Sequence, residues 1–228
     1  MNSTEKNISL WPPTFEGAIF DFDGTLSLTH EIWTEVDRIF LGRRGFEVTP
    51  EYQRMLSKLG FEAGARYTID TYQLNETVED ICDEWNRMGR ALYETQVELR
   101  PGAETYLRAL KAAGIPCALA TVNDRDVLEA CQRVNVHELF DARVYGNDVS
   151  RPKDSPDIYL EAARRIGVAP EKCLVFEDLL AGIRSAKSAG MLTCAVGTDE
   201  RLQLAEGVAD EADLFIPNWE GVAEKVNG

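Results

Sequence analysis

The stretch Ala18-Ile19-Phe20-Asp21-Phe22-Asp23-Gly24-Thr25 decides how the rest of the chain is read. Three apolar residues run without polar alternation, as they do in a strand covered on both faces of a parallel sheet. The run stops at two aspartates around a phenylalanine, followed by a glycine-threonine turn. Such a strand needs partners, and none follows at once. From about Leu28 to Leu99 the spacing is helical only, with Ile32, Val36, Ile39 and Phe40 advancing in three- and four-residue steps. Thr49-Pro50 marks one helix start, as an N-cap with proline at the first helical position. Thr77 and Asp80 mark another, as a capping box ahead of Ile81, Trp85, Met88 and Leu92.

After Pro101-Gly102 helices and strands alternate. A helix over 102–113 leads to a strand over 116–120, a helix over 124–134 and a weak strand near 142–145. Ser155-Pro156 opens a helix that stops at Gly167, and strand 173–176 ends at Glu177-Asp178. A helix to Gly190, strand 192–196, a last strand over 213–216 and a C-terminal helix complete the series. Repeated β-α units predict an α/β fold, a Rossmann-like doubly wound parallel sheet. The first strand belongs to that sheet, so the helical block is an insertion. The expected organisation is an N-terminal arm (1–15), a core (16–26 and 99–228) and an inserted all-helical domain (27–98). The chain then crosses between the two bodies twice, near Ser27-Leu28 and Leu99-Gly102.

Composition narrows the function. The chain has 24 basic against 39 acidic residues, a net charge of -15, and no basic stripe, which disfavours nucleic acid as a partner. No apolar window approaches the roughly 18 residues of a membrane span, and Met1 to Phe15 lacks a signal-peptide core. Cysteines 82, 117, 131, 173 and 194 show no C-x-x-C spacing, so buried free thiols in a cytoplasmic protein are expected. Only His30 and His137 are present, far apart, which leaves acid–base chemistry to carboxylates.

Ligands of open α/β sheets bind at the carboxyl ends of the strands. The residues at those ends are Asp21 and Asp23, then Thr121 and Asn123, then Glu177 and Asp178, with Lys153 in the segment before the helix at 155. Four carboxylates sharing one edge need a cation to offset their repulsion, and a hard divalent ion such as Mg²⁺ suits oxygen ligands.

Asp21-Phe22-Asp23-Gly24-Thr25-Leu26, Thr121, Lys153 and Phe176-Glu177-Asp178 together resemble the four motifs of the haloacid dehalogenase-like (HAD) superfamily. Pro156-Asp157-Ile158-Tyr159, Ala181-Gly182-Ile183 and Ala189-Gly190-Met191 are similar to its phosphatase and β-phosphoglucomutase branch, whose helical cap follows the first motif. The resemblance implies Asp21 as nucleophile and Asp23 as general acid and base, with Thr121 and Lys153 completing the catalytic set. It implies Mg²⁺ on the Asp21 carboxylate, the Asp23 backbone carbonyl and Asp178, with Glu177 in support. It also implies that Thr121, Lys153 and backbone N–H groups, that of Asn123 among them, grip the phosphoryl oxygens. Residues 57–66 correspond to the specificity loop, with Lys58 and Arg66 as candidates for contact with a polar substrate. Asp154 and Leu179 depart from the family pattern, where proline and serine are common.

The activity so implied is Mg-dependent hydrolysis of a small phosphomonoester, such as a sugar phosphate, through an aspartyl-phosphate. Dehalogenases and phosphonoacetaldehyde hydrolases lack an acid at the position of Asp23, which disfavours both. A β-phosphoglucomutase-like enzyme is the nearest alternative. It is disfavoured by Asp124, where that subgroup has lysine, and by Gly60-Phe61-Glu62-Ala63, where its loop ends in arginine. A non-catalytic binding protein on the same fold is the further alternative.

Overall fold

The computed structural model describes residues 8–56, 59, 61–149, 155–198 and 207–228. Its strands are β1 (Gly17–Phe20), β2 (Cys117–Thr121), β3 (Ala142–Tyr145), β4 (Cys173–Glu177), β5 (Leu192–Val196) and β6 (Leu214–Ile216). They form one sheet in the order β3-β2-β1-β4-β5-β6, with every neighbouring pair parallel. The expected α/β doubly wound architecture is therefore the observed one. β1 lies between β2 and β4, with Phe20 in register with Leu119 on one side and Phe176 on the other. Every residue of β1, β2 and β4 is buried, which explains why their apolar runs do not alternate.

The two faces of the sheet are filled differently. On one, Ile19, Ala118, Ala120, Val144 and Val175 pack with Ile158, Tyr159, Ala162 and Ala163 of helix α8 (Asp157–Ile166). Another part of the core is aromatic: Phe20 stacks on Phe176 at 4.6 Å, and Trp219 sits 5.2 Å from Phe176 and 5.7 Å from Tyr106. Such ring pairs add about 0.5–1.5 kcal/mol each beyond their buried area. Tyr106 belongs to α5 (Ala103–Ala112), whose N-cap Gly102 has φ +88° and lies so close to the Trp219 carbonyl that a Cβ would collide with it. Glycine is needed there on both counts.

The helical unit contains α1 (His30–Arg43), α2 (Pro50–Leu56), α3 (Phe61–Tyr72) and α4 (Val78–Gln96). Thr49 Oγ1 accepts the Tyr52 N–H at the start of α2. At α4 the Thr77–Asp80 capping box closes in both directions, each bond 3.1 Å. Val36, Phe40, Leu41, Tyr52, Ala65, Ile81 and Trp85 form this unit's own core.

By compactness the chain divides into Met1–Leu28 with Glu98–Asn123 and Val134–Gly228, and Thr29–Val97 with Asp124–Arg133. The segment 124–133 thus goes with the helical unit rather than with the core, and it adds two crossings to the two expected. The single helix expected over 124–134 is also broken, into α6 (Arg125–Leu128) and α7 (Val136–Leu139). Asn135 starts the second: its side chain accepts the N–H groups of His137 and Glu138. Between the two, Cys131 Sγ donates to the Val97 carbonyl and the Gln132 N–H to that of Glu94, which ties the segment to the end of α4.

All five cysteines are free, and all but Cys82 are buried. Burial pushes the Cys117 and Cys173 thiols up to about 12, which keeps them protonated and unreactive. Among the described residues, no helix is long and apolar enough to cross a membrane.

Candidate active site

Parallel pairing continues one residue past β1, because the Asp21 N–H donates to the Phe176 carbonyl at 3.0 Å. That bond sets the Asp21 carboxylate beside the last residue of β4, Glu177, and the one after it, Asp178. One oxygen from each of Asp21, Glu177 and Asp178 lies within 4.8 Å of the other two, and all three residues are buried. Carboxylates this close cannot all stay ionised without a positive charge among them. The donors are all hard oxygens, so the set fits Mg²⁺ and does not suit a soft metal.

The three carboxylates are held in different ways. Glu177 is locked: Oε1 accepts from the Tyr159 hydroxyl at 2.9 Å and Oε2 from the Leu179 N–H at 2.8 Å. Gly182 lies against this pair, and a Cβ there would collide with the Glu177 carboxyl and with the Tyr159 hydroxyl. Asp178 Oδ1 accepts from Thr25 Oγ1 at 3.3 Å. Gly24 has φ +87° and no room for a Cβ, which would run into the Asp178 carboxylate. The glycine of the first motif is therefore a requirement of close approach as well as of turn geometry.

Asp23, half-buried, follows on the loop leaving β1, and the Asn123 side-chain amide donates to its Oδ2 at 3.1 Å. Thr121 is fully buried at the end of β2, and its Oγ1 accepts the Asn123 N–H at 3.1 Å. The amide expected to grip a phosphoryl oxygen is thus turned onto Thr121, and the Asn123 side chain serves Asp23.

The structure brings Asp21, Asp23, Thr121, Asn123, Glu177 and Asp178 to the carboxyl ends of three adjacent strands. Lys153 and Lys58 lie outside the described residues. Arg66 is exposed on α3 of the helical unit and pairs with Glu62 at 3.4 Å.

Sequence reasoning missed the groups that shape the first loop. Arg100 donates to the carbonyls of Gly24 (3.0 Å), Thr25 (3.3 Å) and Gly197 (2.7 Å), and Trp219 Nε1 donates to the Thr25 carbonyl at 2.9 Å. Arg100 stands immediately before the Pro101-Gly102 boundary, a position that could have drawn attention to it. Trp219 carries no such signal. Tyr159 ends the Pro156–Tyr159 run already singled out, although its bond to Glu177 could not be read from it.

A family model described as haloacid dehalogenase-like hydrolase matches residues 18–196. A phosphorylated carbohydrates phosphatase of Thermotoga maritima is 30% identical over 177 residues, covering 77% of this chain and 82% of that protein. A probable pseudouridine-5'-phosphatase of Drosophila melanogaster is 35% identical over 191 residues, covering 81% and 82%. Among solved structures, CbbY from Rhodobacter sphaeroides in complex with phosphate superposes with a TM-score of 0.78 at 28% identity, over 94% of this chain and 100% of that one. With these matches and the buried carboxylates at the sheet edge, the chain belongs to the haloacid dehalogenase-like hydrolase family.

Proposed function

We propose that the protein is a Mg²⁺-dependent phosphatase that hydrolyses a small phosphomonoester, a sugar phosphate or similar metabolite, through an aspartyl-phosphate on Asp21. The observation that carries the reading is the buried Asp21, Glu177 and Asp178 cluster with Asp23 beside it on the same loop. The phosphatase names of relatives at 30% and 35% identity support the same chemistry.

In the first half-reaction an Asp21 carboxylate oxygen attacks phosphorus in line. The bond from phosphorus to the leaving oxygen breaks, and Asp23 gives its proton to that oxygen, releasing an alcohol. In the second, Asp23 takes a proton from water as the water oxygen attacks phosphorus. The bond to Asp21 breaks, and inorganic phosphate leaves. Thr121 contributes a buried hydroxyl at the end of β2, and Lys153 a fixed positive charge. Asp21 and Asp178 are the residues that would hold the metal, with the Asp23 carbonyl as a third oxygen and Glu177 orienting the set. Bound there, Mg²⁺ neutralises charge on the transferring phosphoryl group. We further propose that the helical unit supplies specificity, through residues 57–66 with Lys58 and Arg66.

The test is phosphate release from p-nitrophenyl phosphate and from a panel of sugar phosphates, phosphoglycolate and nucleotides. EDTA is expected to abolish release and Mg²⁺ to restore it. Full activity of metal-stripped protein would overturn the metal assignment. Interconversion of sugar phosphates without net phosphate release would instead mark a mutase, and folded protein inert toward the whole panel would mark a binding protein.

A further inference from the structure

The Asn123 side chain has no part in the roles assigned above, yet it is 5% exposed and reaches across 100 residues of sequence to Asp23 Oδ2 at 3.1 Å. It stands in the loop leaving β2, and Asp23 in the loop leaving β1, two adjacent strands held in register by Phe20 and Leu119. Its backbone is fixed as well, since its N–H donates to Thr121 Oγ1 at 3.1 Å. A primary amide facing a carboxylate presents its NH₂, and that group only donates. Oδ2 is thereby kept as an acceptor, which leaves Oδ1 as the oxygen that carries the transferable proton. The bond also limits rotation of a side chain that is only half-buried and is followed by glycine.

We propose that Asn123 is a positioning residue for Asp23, holding its carboxyl so that Oδ1 gives the proton to the leaving oxygen and later takes one from water. This deepens the phosphatase reading and rests on it. In this role the Asn123 side chain acts through Asp23 rather than on a reacting atom. Removing it therefore affects the transfer of a proton, leaving Asp21 and the metal carboxylates as they are.

Leaving groups separate this role from a merely structural one. p-Nitrophenolate departs without a proton, whereas the alkoxide of a sugar does not. The quantity to compare is kcat/KM, which covers the steps up to departure of the leaving group. In Asn123→Ala, kcat/KM on the best alkyl phosphate of the panel is expected to fall about 10- to 100-fold, part of the 10²–10⁴ that general acid catalysis supplies. On p-nitrophenyl phosphate the fall is expected to stay within about 3-fold. Asn123→Leu is close in shape, carries no charge and has no donor, so it serves if the alanine variant fails to fold, and the same selective loss is expected. In an Asp23→Asn background, Asn123→Ala is expected to add almost nothing, because the two act as one unit. Equal losses on both esters, no loss on either, or full additivity with Asp23→Asn would overturn the assignment. A folded wild type inactive on both esters would overturn the phosphatase reading, and this assignment with it.

Discussion

The carboxyl edge of the core sheet and the helical unit bury opposite kinds of side chain. At the sheet edge Asp21, Thr25, Thr121, Asn123, Glu177 and Asp178 are all buried, and distant parts of the chain are brought in to hold them. In the helical unit the interior is aromatic and aliphatic, with Phe40, Tyr52 and Trp85 at its centre, and its ion pairs reach solvent. Burying like charges together opposes folding, whereas burying Phe40 and Trp85 favours it. Several carboxylates buried together at one sheet edge mark a region kept for chemistry. Outside residues 57–66, which are proposed for specificity, substitutions in the helical unit should report on folding rather than on the reaction.

The largest effect that would break this comparison is expected at Asp21. Asp21→Asn is isosteric but has no anionic oxygen to attack phosphorus, so kcat is expected to fall by about 10⁴-fold or more. The same change relieves repulsion with Glu177 and Asp178, so the metal-free protein is expected to gain stability, about 2–4 °C in Tm for each kcal/mol. Thermal denaturation in EDTA checks this. A lower Tm together with retained turnover would mean that the cluster is structural.

Two glycines then sharpen the contrast. Gly24 and Gly45 both have positive φ, +87° and +80°. A Cβ at Gly24 would strike the Asp178 carboxylate, while nothing lies within 4 Å of the one at Gly45 in the helical unit. Gly24→Ala is expected to lower kcat about 10²-fold and to weaken Mg²⁺ binding, as measured by titration calorimetry. Gly45→Ala is expected to lower stability by about 1 kcal/mol through backbone strain alone, with turnover unchanged.

The strands and the chemistry-bearing loops were legible because both are local patterns. Runs such as Cys173-Leu174-Val175-Phe176 need no partner to be recognised, and Asp21, Thr121 and Glu177-Asp178 each stand directly after one. What stayed hidden depends on registers between distant segments. Asn123 was legible as a strand-end residue, but its donation to Asp23 depends on how the β1 and β2 loops meet. The Arg100 and Trp219 bonds to the first loop span 75 and 194 residues of chain. The helix expected over 124–134 stops instead at Leu128, although apolar spacing continues through Val134, and a separate helix starts at the Asn135 cap.

The helical unit carries its own pH signal, at Asp37 on α1. Desolvation by burial raises its carboxyl from the ordinary 3.8 to about 7. An acid with a raised folded pKa is protonated in both states below about pH 4, so nothing is lost there. Between about 4 and 7 only the folded form holds the proton, and stability falls as pH rises, by up to about 4 kcal/mol in all. Asp37→Asn is expected to remove this slope and to stabilise the protein at pH 8, with activity unchanged. Urea denaturation at pH 5 and pH 8 checks it, and equal slopes in the two proteins would show that Asp37 titrates normally.

A smaller effect than that at Asp37 is expected at Arg44, also in the helical unit, and it runs the other way with pH. Its guanidinium donates to both Glu76 oxygens (2.8 and 2.5 Å), to Glu84 (2.6 Å) and to the Phe40 carbonyl (3.0 Å). It also lies 3.6 Å over the Phe40 ring. The Arg44 hydrogen bond is the main cause that lowers the Glu84 carboxyl. A depressed acid contributes stability above its unfolded pKa and loses it as pH falls through the folded value, here below the ordinary 4.5. Lysine keeps the charge but not the planar fork, so Arg44→Lys is expected to be no conservative change. It retains one of the carboxylate contacts and loses the carbonyl bond and ring stacking, for about 1 kcal/mol, and Arg44→Ala for about 2 kcal/mol. Both losses are expected to shrink in acid, as Glu84 protonates even in the wild type, while kcat/KM at neutral pH stays unchanged in both variants. Equal stability of Arg44→Lys and wild type would reduce the network to simple charge attraction. A loss of turnover in either variant would break the division between a region that folds and a region that reacts.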